Sequence, residues 1–152
     1  MMSYQPTRYK HVLGAVDTTD DAKEVLSAAQ QLSKDHGATL SFVTVVKHVK
    51  QVYGAIDAAR IARFEQEAVN AARERLEEHA RTCGVDNDRV FALLGHPATE
   101  IRELAKELDI DAIIIGTHGR HGMGLMFLGS TASGVLHGIN CDVLAIRIPE
   151  AA

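Results

Sequence analysis

Tryptophan is absent from this 152-residue chain and aromatic residues make up only 5% of it, so there is little to build a stacking platform for nucleic acid. Net charge is −4 with the eight histidines counted as neutral, so no bulk positive field exists to hold a polyanion or an anionic membrane. Only two cysteines occur, Cys83 and Cys141. They make no CxxC pair and no metal-ligand spacing, which points to reduced thiols and away from a disulfide scaffold. The opening MMSYQPTRYK lacks the apolar stretch of a signal peptide, and no apolar run approaches membrane-spanning length. The expectation is a cytoplasmic protein with no membrane insertion and no nucleic-acid partner. Chemical signatures are missing too. There is no HExxH zinc motif and no GxxxxGK[ST] phosphate loop. GxGxxG also fails, because Gly122-Met123-Gly124 is followed by Leu125, Met126 and Phe127.

What remains is a chain of ordinary globular composition, 46% hydrophobic and 24% charged, long enough for one core. It is read as a single domain over residues 1–152, with 1–8 a polar, flexible arm. Short apolar runs at 11–16, 39–46, 89–94, 111–116 and 142–148 read as strands buried on both faces. Between them lie helical patterns. Val25, Leu26, Ala29 and Leu32 recur at helical spacing over 22–35, with a polar turn at 18–21 before them and Gly37 after them. A long helix over 59–82 sets Ile61, Phe64, Ala68, Ala72, Leu76 and Ala80 on one face and charged residues on the other. Gly84 ends it. Pro97 opens a helix over 98–108, and 130–139 reads as a short last helix. Residues 47–58 have no clear period and read as a surface excursion.

Strand and helix alternate from end to end, which implies an α/β domain with a parallel sheet. Ligands of such sheets sit at the carboxyl ends of the strands. Those ends are Asp17, Val45 and Val46, Gly95 and His96, and the stretch 116-GTHGRHGMGLMFLGST-131. That last stretch places five glycines between residues 116 and 129. Glycine in such number costs stability unless the chain must turn sharply or something must approach the backbone. Gly116 and Gly119 would let N–H groups converge on one anion. Gly129 and Ser130 lie where a helix begins, with free N–H groups suited to phosphate and a hydroxyl to add. The same glycines would also serve a tight connection that binds nothing.

Gly116, two residues, Gly119, nine residues, then Gly129-Ser130 is the G-2x-G-9x-G-[ST] spacing of ATP-binding universal stress proteins. The opening 9-YKHVLGAVDTT-19 resembles that family's first strand, which ends in an Asp at the place of Asp17. The segment 94-LGHPATEIRELAKELDIDAIIIGTHGR-120 is similar throughout, and the resemblance spans about residues 9–148. It implies a three-layer α/β/α domain, Rossmann-like and of the adenine nucleotide alpha hydrolase-like type, with a five-stranded parallel sheet of order 3-2-1-4-5. It implies ATP as ligand, with Mg²⁺ carried on its phosphates. Ala15, Val16, Asp17 and Val45 would lie at the adenosine. Gly116, His118, Gly119, Arg120, His121, Gly122, Gly129, Ser130 and Thr131 would lie toward the phosphates. Each has a plainer reading. Asp17 would also cap the first helix, Val45 would also be core, His118 would only shape the loop, and Arg120 and His121 would also be solvated.

The segments 53-YGAID-57 and 141-CDVLAI-146 resemble a subgroup typified by enteric universal stress protein A, whose members lack the glycine motif. A nucleotide-free binding module is therefore the alternative. A slow ATPase or phosphotransferase is a third reading. No nucleophile, base and oxyanion site assemble in the sequence, so catalytic residues are assigned nowhere. Apart from Arg147, 142-DVLAIRI-148 is apolar on both faces and would form a sheet edge in need of cover. The resemblance implies a homodimer paired through that strand. A protein partner would read a glycine loop ordered by nucleotide.

Overall fold

The apolar runs become the strands of one parallel sheet. The computed structural model describes residues 8–17, 22–49, 57–117 and 130–148. In it β1 (His11–Ala15), β2 (Thr39–Val46), β3 (Val90–Leu94), β4 (Ala112–Gly116) and β5 (Asp142–Ile146) lie in the order β3-β2-β1-β4-β5. Four helices fill the connections: α1 (Ala22–His36), α2 (Ala58–Thr82), α3 (Pro97–Glu107) and α4 (Ser130–Leu136). Sheet order and layering agree with the expectation from sequence.

Side chains alternate across the strands and feed two cores. Val12, Phe42, Ala112 and Ile114 point to the face covered by α1 and α2, where they meet Val25, Ala29, Leu76 and Ala80. Leu13, Val43, Ile113 and Ile115 point to the other face and meet Ile101, Leu104 and Val135 of α3 and α4. Strands rich in apolar residues on both faces are what a sheet covered on both sides requires. Asp57 starts α2, its carboxylate accepting the N–H of Ala59 at 2.7 Å and of Arg60 at 3.2 Å. Gly37 and Gly84, at φ 63° and 73°, stop α1 and α2 in the left-handed conformation.

Three details differ from the sequence reading. The apolar pattern puts Phe64 on the inner face of α2, but it is 62% exposed, while its neighbour Glu65 is buried. The buried stripe runs Glu65, Val69, Ala72, Leu76, Ala80, so the first turns of the helix are rotated by one position from the apolar pattern. The last strand ends at Ile146, because Gly116 at the end of β4 is its last partner, and Ile148 turns into the core. The last helix ends at Leu136. Of the flexible arm, Arg8 is described, and its Nε donates to the His36 carbonyl at 2.8 Å. The turn over 18–21 and most of the excursion over 47–58 lie outside the described residues.

Candidate functional site

The chain passes from β1 outward to β2 and β3, then returns to place β4 on β1's other side. Ala15 pairs with Ile115 at the top of these two strands. Beyond that pair their continuations part, β1 leading to α1 on one face and β4 toward α4 on the other. A crevice must open between such strands, and it is the usual ligand position of open α/β sheets.

A cavity of about 460 Å³ lies there. Ala15, Val16 and Asp17 line it from the exit of β1, and Val45 from the end of β2. Gly116 lines it from β4, and Ser130 and Thr131 from the first turn of α4. Seven residues singled out in the sequence, from four separate segments, thus face one space. His118, Gly119, Arg120, His121, Gly122 and Gly129 lie outside the described residues. The exits are fixed by backbone bonds just past the ladder. Val16 N–H donates to the Val43 carbonyl at 2.8 Å, and Thr117 N–H to that of Ile146 at 2.9 Å.

Gly116 itself lies in a strand and not in the sharp turn expected of it. It closes a strand and pairs with Ile146. A Cβ there would stand 3.2 Å from Ile148 Cδ1 and 3.7 Å from Val25 Cγ2. Ile148 and Val25 also line the cavity, so a side chain at 116 would push into its wall.

Lys47 escapes a reading of the sequence alone. It follows the last residue of β2 and looks like the start of the excursion, yet it lines the cavity and brings a cation to it. The signal available is its place one residue past a strand's carboxyl end. The two residues after Lys47 are held by α2. His48 Nδ1 lies 2.9 Å from Glu65 Oε2, and Val49 N–H donates to the same oxygen at 2.9 Å. These bonds, the Val49 N–H first and the imidazole second, hold the Glu65 carboxyl below the usual carboxylate range. By sequence Glu65 belongs with the solvated charges of α2. Its place on the buried stripe depends on where β2 leaves the sheet, which no local pattern gives.

The lining is mostly apolar, with a carboxylate (Asp17), an ammonium (Lys47) and two hydroxyls (Ser130, Thr131) at its edges. That suits a molecule with a flat apolar part and an anionic part. No group of three or more His, Cys, Asp or Glu among the described residues could hold a metal ion. A cation accompanying such a ligand would depend on the ligand's own oxygens.

A second set of chemistry-bearing side chains lies at the strands' amino ends. His11 Nε2 is 2.7 Å from Ser41 Oγ and Nδ1 is 3.2 Å from the Leu108 carbonyl oxygen. Asp111 does not orient that imidazole. Its carboxylate accepts the backbone N–H of Lys10 at 2.7 Å and of His11 at 2.9 Å. Ser41 is 1% exposed, so no substrate reaches it. Burial lowers the His11 pKa below 6.5, opposed by the Leu108 carbonyl and Asp111. This cluster fastens strand entries and is not a hydrolytic triad.

The sequence model of the universal stress protein family matches residues 8–147. Universal stress protein A homolog 1 of Coxiella burnetii is 38% identical over 143 residues, covering 93% of this chain and 99% of that protein. Homolog 2 of the same organism is 36% identical, covering 92% of this chain and 96% of its own. Among solved structures, the universal stress protein UspA from Lactobacillus plantarum has the same fold, with a TM-score of 0.79 at 24% identity over 93% of this chain and 100% of that one. A universal stress protein in complex with cAMP has a TM-score of 0.66 at 20% identity over 94% of this chain and 100% of its own. No helix among the described residues is long and apolar enough to cross a membrane.

Proposed function

The chain belongs to the universal stress protein family, and we propose that it is a cytoplasmic, homodimeric regulator that binds an adenine nucleotide, ATP in the first place. The observation that carries this reading is the cavity of about 460 Å³ shared by Ala15, Val16, Asp17, Val45, Gly116, Ser130 and Thr131. The adenine lies against Val45 and Ala15, and Asp17 accepts a hydrogen bond from the nucleoside. The phosphates run toward Ser130, Thr131 and Lys47 and onto the glycine motif of residues 116–130. Mg²⁺, when present, rides on the phosphate oxygens. The cAMP complex of a family member with the same fold is consistent with a nucleotide in this crevice.

The protein's own part is to bind and to switch. Nucleotide that binds one arrangement of residues 117–128 better than another shifts the population toward it. A protein partner then reads the changed surface. β5 has no second strand beside it among the described residues, and its Leu144 is 46% exposed. Pairing of two such edges about a two-fold axis would cover both.

Native mass spectrometry of freshly purified protein, followed by ATP titration, tests the reading. A dimer that retains or takes up one nucleotide per subunit, and loses it on Gly119→Val or Gly129→Val, is the expected result. A dimer that stays bare with Mg-ATP would instead make the chain a nucleotide-free binding module. ATP affinity unchanged in both glycine variants would remove the glycine motif from the site.

A further inference from the structure

The nucleotide cavity has a neighbour. A second cavity, of about 320 Å³, adjoins it and shares Lys47, Pro97, Ser130 and Thr131 as a common wall. Its remaining lining is His48, Gly95 and His96. None of these three faces the first cavity, and the nucleotide reading gives them no work.

The chemistry of this second space is specific. Both imidazoles are exposed and have a partner at Nδ1, His48 in Glu65 Oε2 at 2.9 Å and His96 in Thr99 Oγ1 at 3.3 Å. Gly95 between strand and helix has φ 150°, and a Cβ there would stand 2.8 Å from Oε1 of Glu100, whose side chain packs against this glycine. A simple anion is a poor occupant, because the Glu65 carboxylate already sits on His48. Two aromatic rings and a proline suit a planar heterocycle, whose π-face stacks without regard to charge. The waist between the two spaces is different. Lys47 offers an ammonium there, and Ser130 and Thr131 offer hydroxyls, which are partners for a phosphate chain.

We propose that the two adjoining cavities together accept a dinucleotide, two nucleosides joined through phosphates, with the second base between His48 and His96. The inference rests on the nucleotide reading of the first cavity and extends it. A mononucleotide fills one space and leaves the other to solvent. A ligand that reaches across the Lys47–Ser130 waist gains the second stacking site at no further cost in bringing the molecule to the protein.

The test compares ATP with diadenosine tetraphosphate by calorimetry, on the full chain. Diadenosine tetraphosphate should bind about tenfold or more tightly than ATP, the gain a stacked base gives. His96→Ala should cancel that advantage and leave ATP affinity unchanged. His96→Phe should restore it, since a ring and not a hydrogen bond is needed. An unchanged melting temperature in each variant guards against a folding defect, including one from losing the 3.3 Å contact of His96 Nδ1 with Thr99 Oγ1 of α3. If ATP binds and the dinucleotide binds no more tightly, the second cavity is not a base site and the proposal falls while the nucleotide reading stands. The proposal falls in the same way if His96→Ala weakens both ligands equally. If neither ligand binds, both readings fall together.

Discussion

At the amino end of the sheet, His11, Ser41 and Asp111 spend their polar atoms on one another's neighbours and on the backbone. At the carboxyl end, Asp17, Lys47, Ser130 and Thr131 stand around about 460 Å³ of open space. The residue types at the two ends are alike, with a serine and an aspartate at each. Topology separates them. At the amino end the strand entries are laced by backbone bonds, Thr39 N–H to the Lys10 carbonyl at 2.9 Å and Asp111 N–H to that of His11 at 3.1 Å. At the carboxyl end the continuations of β1 and β4 turn to opposite faces and leave the cavity between them. Reactive side chains in a packed seam give stability, whereas the same chemistry beside a gap can meet a ligand.

Changes at the two ends should therefore separate binding from stability. The largest effect is expected from Gly116→Val. Its side chain presses on Ile148 and shifts the cavity wall, which should weaken ATP binding about tenfold by calorimetry and also cost about 1–3 kcal/mol of stability. Wild-type affinity in that variant would mean the nucleotide does not use this wall. Next comes Asp111→Ala, which strips the acceptor from two backbone N–H groups and should lower unfolding free energy by about 1–3 kcal/mol in urea, with ATP affinity intact. A matching loss of affinity would show that the two ends are coupled after all.

A smaller effect concerns pH. Burial favours neutral His11, so its folded pKa lies below the 6.5 of the unfolded chain. Between the two values the unfolded state holds more protons, so stability falls as pH drops from 6.5 through that window. His11→Gln should flatten this slope in denaturant melts between about pH 7 and 5. A slope that persists undiminished would assign it to other groups. The smallest concerns Cys141, next to β5 and close to Asp111 and Asp142. Burial, helped by those carboxylates, pushes its thiol up to about 11. At about pH 8 iodoacetamide should label Cys141 more slowly in the folded protein than in urea, as mass mapping would read. Equal rates would place this thiol outside the seam.

Legibility from sequence follows range of interaction. The limits of β2 can be read to the residue, because its β-branched and apolar run lies between Gly37 and the polar stretch that begins at Lys47. The cavity-lining set is foreseeable at Asp17, Val45 and Ser130 because strand ends and a glycine spacing mark them locally. His96 and Lys47 have only a place at or just past a strand end to mark them, and Glu65 and His48 carry no such mark. Glu65 lies among charges on a helix whose exposed Phe64 looks the better candidate for burial, and only the exit of β2 against that helix decides between them.

By itself the sequence determined the order of elements, the covered parallel sheet and the end of the sheet where the strand exits meet, since these follow from hydrophobic period, glycine stops and strand–helix alternation. The tertiary structure decided which charges face the crevice, what a side chain at residue 116 would press on, and that a Ser, His and Asp at the far end are fasteners. Those outcomes depend on contacts between residues such as Gly116 and Val25, or His48 and Glu65. Such pairs meet only after the sheet has formed, and no periodicity along the chain encodes them.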